Sequence, residues 1–414
     1  MAAGRMIALL GTLDTKGAEI AYTAGAIRRA GAVPVIIDSG ILGQPSEGAA
    51  DITREEVARA GGHELEAIRR AGSRRDAVEL MQAGVRAVCR RLYDEGRLHG
   101  ILCLGGAEGA QMGAQAMQVL PLGVPKLIVS PSASGPRPFG PFVGRTDTLV
   151  MHSVIDILGL NPLSRAVFEN AAAAVVGMAT HAGAPVHDLG PRSVGITMLG
   201  QTTPGVMAML GPLEQAGWDP VIFHANGVGG PTMEDFIRGG GLRAVIDYTL
   251  SELPNSLLGG FHATGPERLR AAGAAGLPQV VVTGCAEFFN QGNPPPARYR
   301  DRPGYRHNST STLVRLSRAE MVELGGVVAE RLTGARGPLR VIAPTRGFSM
   351  ADSEGEVLWD PDGDHAFIDA LEAALPTAVP FERVDANVND ARCAALVVER
   401  FLALAGTGTV PAPG

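Results

Sequence analysis

Cysteine is scarce in this chain, and its spacing is uninformative for metal or redox chemistry. Cys89, Cys103, Cys285 and Cys393 lie far apart with no C-x-x-C pair, and three of them sit in apolar runs. That excludes a disulfide framework and points to reduced, buried thiols. Long apolar stretches are missing as well. No run of about 18 apolar residues occurs, and the opening MAAGRMIALLG is too short for a signal peptide or a membrane span. A soluble, cytoplasmic protein with no membrane partner is expected. Nor is there an excess of basic charge. With 36 Lys and Arg against 42 Asp and Glu, the net charge is -6, the wrong sign for a dedicated nucleic-acid binder.

What is present suits an α/β protein. A length of 414 residues favours two or three domains, and 55 glycines and 29 prolines serve many short turns. The opening segment reads as a buried strand (Met6–Leu10), a loop (Gly11–Gly17), a helix (Ala18–Ala30) and a second strand (Val33–Ile37). From Ser193 the order repeats in VGITMLGQTTPGVMAMLGPLEQAGWDPVIFHANG. Ala30–Gly31 corresponds to Ala216–Gly217, and Asp38 and His224 fall at matching strand ends. The expected fold is α/β: two Rossmann-like, doubly wound domains with mainly parallel sheets and an interdomain cleft. They span 1–182 and 190–414, with the turn-rich Thr180–Ser193 between them.

In doubly wound sheets, ligands gather at the carboxyl ends of the strands. The first such loop, GTLDTKG (Gly11–Gly17), nearly spells a phosphate-binding loop, with the lysine and second glycine reversed. Thr12, Thr15 and Lys16 can donate to an anion at the helix start, and Asp14 can orient the lysine or hold a hydrated metal. The alternative is that Asp14 or Thr15 caps the helix and Lys16 is solvated. The second loop, Cys103–Gly113, offers Gly105, Gly106 and Gly109 for close approach to a ligand. A third, Ser130–Asp147, carries Arg137 and Arg145, suited to phosphate or carboxylate.

In the second half, His224, Glu234 and His307 are candidates for an acid-base group. No H-E-x-x-H spacing supports a metal site built by the protein alone, and a hydrogen-bonded structural role is the alternative for each histidine. Cys285 would serve as a nucleophile only with a histidine beside it in space. Ser349 lacks the G-x-S-x-G elbow of a serine hydrolase.

Six stretches in series resemble one family: GTLDTKGAEI, TDTLVMHSVIDILGLNPLSRAVFENAAAAVVGM, FHANGVGGPTMEDFI, GCAEFFNQGNPP, RHNSTSTLVR and FSMADSEGEVLWDP. This is the Tm-one-like ATP-binding domain family of bacterial and fungal proteins. The resemblance implies two Rossmann-like domains, ATP or a related nucleotide as ligand, and a homodimer; with ATP bound, Asp14 would hold Mg²⁺ directly or through water. At matching positions it points to Thr12, Asp14, Thr15 and Lys16, and to His224, Gly229, Gly230 and Glu234. It also points to Asn290, His307, Asn308 and Asp352. One departure concerns the loop after the third strand. The family has Gly-Gly-Ser-Gly-Gly-Thr there; this chain has GGAEGAQ, so Glu108 adds negative charge near a phosphate position.

Three functions are then open. The first is a nucleotide-binding protein, as in an ATP-dependent enzyme of small-molecule metabolism, with Gly11–Lys16 and the Gly105–Gly109 loop on the nucleotide. The second is a hydrolase or lyase that acts on a small anionic metabolite without ATP. The third is a non-catalytic, nucleotide-dependent sensor or interaction module.

Overall fold

A computed structural model describes residues 4–45, 49–133, 140–181 and 183–406, without the side chains of 140 and 141. Arg137 lies outside them. The chain divides into two units, Met1–Val186 and His187–Gly414.

The first unit runs β1 (Met6–Gly11), α1 (Leu13–Arg29), β2 (Val33–Asp38), α2 (Arg54–Ala60), α3 (Leu65–Arg69) and α4 (Arg74–Asp94). It continues with β3 (Gly100–Leu104), α5 (Ala107–Gln118), β4 (Lys126–Ser130), α6 (Gly140–Val143), β5 (Leu149–His152) and α7 (Pro162–His181). The strands pair in parallel in the order β2-β1-β3-β4-β5. Their apolar runs are continuous because both faces are covered. In β1, Ile7 and Leu9 join the cluster of Ile20, Ile27, Phe168 and Val175, while Ala8 and Leu10 face Val57, Met81 and Val88.

One local feature departs from the sequence reading. The stretch expected as a loop to Gly17 is already helical from Leu13. The reason is a non-local cap. Asp38, at the end of β2, accepts from Leu13 N at 3.0 Å and from Gly40 N at 2.8 Å through the same oxygen. Lys16 keeps a non-helical backbone (φ -132°, ψ 24°), so the first turn is kinked where the loop was expected.

The second unit runs β6 (Ser193–Met198), α8 (Thr203–Gln215), β7 (Asp219–His224), α9 (Gly229–Arg238), β8 (Ala244–Thr249), α10 (Glu252–Leu258) and α11 (Ala271–Ala275). Then come β9 (Gln279–Gly284), β10 (Phe288–Gly292), β11 (Gly304–Arg306), β12 (Ser311–Arg315) and α12 (Arg318–Leu332). The last elements are β13 (Leu339–Pro344), α13 (Pro361–Ala374), β14 (Phe381–Val384) and α14 (Ala391–Ala405). Six strands form a parallel sheet ordered β14-β13-β9-β8-β6-β7, and β10-β12-β11 is an antiparallel insertion. In both sheets the first strand sits between the second and the third, so the winding reverses there. This is the doubly wound, Rossmann-like arrangement. No helix among the described residues is long and apolar enough to cross a membrane.

Candidate functional site

The reversal of winding between β1 and β3 leaves a crevice at their carboxyl ends, because the following helices depart to opposite faces. A cavity of about 690 Å³ occupies that place, a size suited to a small organic ligand. It is lined by Thr12, Asp14, Thr15 and Lys16 after β1, by Ser39, Ile41, Leu42 and Gly43 after β2, and by Gly105, Gly106, Glu108 and Gly109 after β3. Arg69 at the end of α3 and Ser73, Arg74, Ala77 and Val78 at the start of α4 complete it with Met112. The structure thus brings the two N-terminal loops together. Gly11 stands behind them, where a Cβ would overlap the Ile20 side chain.

The polar side of this cavity is rich in donors. The first turns of α1, α4 and α5 all border it and bring partial positive charge. Asp38 takes Leu13 N at α1 and Ser73 takes Asp76 N at α4, which leaves the α5 start as the one without a side-chain cap among the described residues. The α1 and α5 starts have no side-chain cap from Thr12 or Gly106. Lys16 is not solvated. Its side chain is 15% exposed, and Nζ lies 3.4 Å from Asp156, which is 73% exposed. Asp14 accepts from Gly43 N at 3.1 Å and so fixes the loop after β2. Arg69 donates to Ile41 O at 2.7 Å and to Glu66 at 2.8 Å, and its Nη2 is buried with no hydrogen-bond partner among the described residues. The charge of Glu108 is met by Arg74, whose Nη2 lies 2.6 Å away. Ile41, Leu42, Ala77, Val78 and Met112 add apolar side chains to the lining.

Two glycines of the β3 loop differ in kind. A Cβ on Gly105 would overlap the backbone of Gly109 and Ala110, whereas one on Gly106 would meet nothing within 4 Å. Gly105→Ala should therefore lower stability by about 1–3 kcal/mol through overpacking. Gly106→Ala should leave the unfolding midpoint nearly unchanged while placing a methyl at the cavity lining. Thermal denaturation of the two variants checks the contrast.

The C-terminal candidates are placed differently. His224 ends β7 and is exposed, and His307 is exposed in the loop joining β11 and β12. Glu234 is buried in α9, where it accepts from Leu269 N at 2.7 Å and Ala271 N at 2.8 Å and lies 3.5 Å from Arg268. Burial raises its pKa, and Arg268 pulls it back. No hydrogen bond or ion pair joins Glu234 to either histidine among the described residues. Gly229 packs on the His224 backbone, and a Cβ on Gly230 would overlap the Glu252 carboxylate. That carboxylate also takes the Gly227 and Gly230 amides, at 3.0 and 3.1 Å, so the α9 start already holds an anion from its own chain.

Asn290 is buried, and Asn308 is exposed beside His307. Asp352 is fully buried against Arg315 at 3.3 Å. All four cysteines are buried and free. Burial holds the Cys285 thiol well above its usual range. Ser349 is fully buried too. Among the described residues no group of three or more His, Cys, Asp or Glu side chains is placed to hold a metal ion.

Sequence reasoning singled out neither Arg69, Ser39 and Asp156 in the first unit nor His262 in the second. Arg69 lies in an ordinary charged helix, and nothing in its neighbours marks it. His262 stood in a recognisable polar loop, HATG, but its proximity to His224 and His307 is purely tertiary.

Both units are doubly wound α/β domains of the Rossmann-like class, and the first bears a donor-lined cavity at its switch point. The chain belongs to the uncharacterised protein family UPF0261. The model of that family's N-terminal domain matches residues 5–184, and that of its C-terminal domain matches 192–405. A UPF0261 protein of Clostridium tetani is 36% identical over 401 residues, covering 96% of this chain and 98% of the relative. One from Rhizobium meliloti is 35% identical, with 96% and 98% covered. The ToMV resistance protein Tm-1 of Solanum lycopersicum is 32% identical over 334 residues, which are 79% of this chain and 44% of the tomato protein.

Proposed function

We propose that the switch-point cavity of the N-terminal unit binds a nucleotide, with ATP as the ligand. The observation that carries this reading is that three helix starts, Lys16 and Arg69 line one cavity together with a set of apolar side chains. A triphosphate needs many donors and positive charge, and a base needs an apolar slot; this cavity offers both. Thr12, Thr15, Lys16 and the amides at the start of α5 would hold the phosphates. Asp14 keeps one carboxylate oxygen without a hydrogen bond among the described residues and would face Mg²⁺ accompanying the nucleotide. The Arg74–Glu108 pair neutralises the acidic residue that departs from the family loop, which removes the electrostatic objection to phosphate there.

Lys16→Ala should weaken binding of ATP with Mg²⁺ about tenfold or more. Because its partner Asp156 is exposed, the fold should lose no more than about 1 kcal/mol. Isothermal titration calorimetry and a denaturation curve on the same variant test both halves. Unchanged affinity would remove the loop from the reading. Saturable binding of sugar acids in place of ATP would favour the ATP-independent hydrolase or lyase.

A further inference from the structure

We infer that His224, His262 and His307 form an oxyanion site on the C-terminal unit, one that takes the carboxylate or phosphate group of a small metabolite. The inference is independent of nucleotide binding in the N-terminal unit. The three residues come from three segments: the end of β7, the loop after α10, and the connection between β11 and β12. Buried Asn255 ties two of these regions together. Its Oδ1 accepts from His262 N at 3.2 Å and Asn290 N at 2.9 Å, while its Nδ2 donates to Ser251 O at 2.7 Å. Past the end of β10, Asn293 Nδ2 donates to Asn308 O at 3.2 Å, which holds the His307 connection to the same framework. From the third side, the loop after β7 is pressed so closely on His262 that a Cβ at Gly227 would lie 3.1 Å from the His262 Cα.

The framework is satisfied, whereas the rings are not. None of the three imidazoles makes a side-chain hydrogen bond or ion pair among the described residues. His262 is mostly buried, and its Nδ1 is sealed without a partner. Its Nε2 is the ring nitrogen that solvent reaches. Burial together with His224 and His307 depresses the His262 pKa to about 4, and no carboxylate acts on it. A neutral ring whose Nδ1 faces no donor or acceptor keeps its proton best on Nε2, where an incoming acceptor can use it. A structural histidine would instead spend both nitrogens on the fold. The rings are not disposed to share a metal ion, and with no carboxylate acting on His262, the complement the site lacks is an anion.

The test uses the full chain with histidine ring carbons labelled with carbon-13, and inorganic phosphate and acetate as probes. Single His→Gln variants identify the three signals among nine histidines. Saturable, concerted shifts of the His224, His262 and His307 signals with either probe are expected, phosphate alone assigning a phosphate ester and acetate alone a carboxylate. Affinity should fall about tenfold or more in His262→Gln. His224→Gln and His307→Gln, at exposed positions, should weaken it as well without altering the unfolding midpoint, so the test survives if His262→Gln fails to fold. Shifts that never saturate, or exposed-site variants that bind both probes like the parent, would overturn the proposal.

Discussion

Replacing Arg268 with methionine is expected to destabilise the C-terminal unit by at least about 3–5 kcal/mol. The guanidinium is 1% exposed and pairs with Asp247 and Glu252, both at 2.6 Å, and with Glu234 at 3.5 Å; all three carboxylates are essentially buried. Removing the shared cation leaves Glu234 with only the half-exposed Arg238, and Asp247 and Glu252 with no cation among the described residues, in a medium that solvates them poorly. Such a loss is a large part of the 5–15 kcal/mol, roughly, that holds a typical domain together. The measurement is direct, because Trp218 and Trp359, the two tryptophans of the chain, both lie in this unit. Denaturant unfolding followed by tryptophan fluorescence should show the shifted transition. Asp247→Asn added to Arg268→Met should recover part of it. A loss below about 1 kcal/mol would mean that the cluster is far better hydrated than its burial indicates.

The second large effect concerns pH. Glu287 is fully buried beside Ser349, and its charged neighbours are Asp352, Asp364 and a single cation, Arg315. Burial, reinforced by Asp352, raises its pKa from 4.5 to about 8. The folded state therefore keeps a proton that the unfolded chain releases near pH 4.5. Stability from this group is complete below that pH and is lost progressively as pH rises through about 8. At full expression the difference corresponds to about 4–5 kcal/mol. Asp352 and Asp364 are raised in the same direction, so the transition belongs to the cluster as a whole. Glu287→Gln should make the unit more stable than the parent at pH 9 and flatten the profile of midpoint against pH between 5 and 9. An unchanged slope would show that the proton resides elsewhere.

The sheets were legible because their strands are short apolar runs punctuated by Gly and Pro. Val281 and Val282 in β9 are an example: strands covered on both faces read as uninterrupted aliphatic stretches. The candidate loops were legible for a related reason, since a parallel strand followed by a glycine-rich turn must end at the binding edge. What escaped was whatever depends on distant partners. The start of α1 moved from Ala18 to Leu13 because Asp38, 25 residues on, supplies the cap. Glu234 reads in the sequence as an acid-base candidate beside His224, yet its partners, Leu269, Ala271 and Arg268, come from a remote segment. The environment of His262 depends on Asn255 and Asn290, which mark no motif by themselves.

The occupied start of α9 sets the two units apart. Glu252 is a permanent resident there, so the amides of Gly227 and Gly230 are indifferent to whatever anions the surrounding medium contains. At the start of α5 in the first unit no side chain among the described residues plays that part. Two units wound alike thus differ in how a helix start is closed: α9 by a carboxylate of its own chain, α5 by no side chain among the described residues.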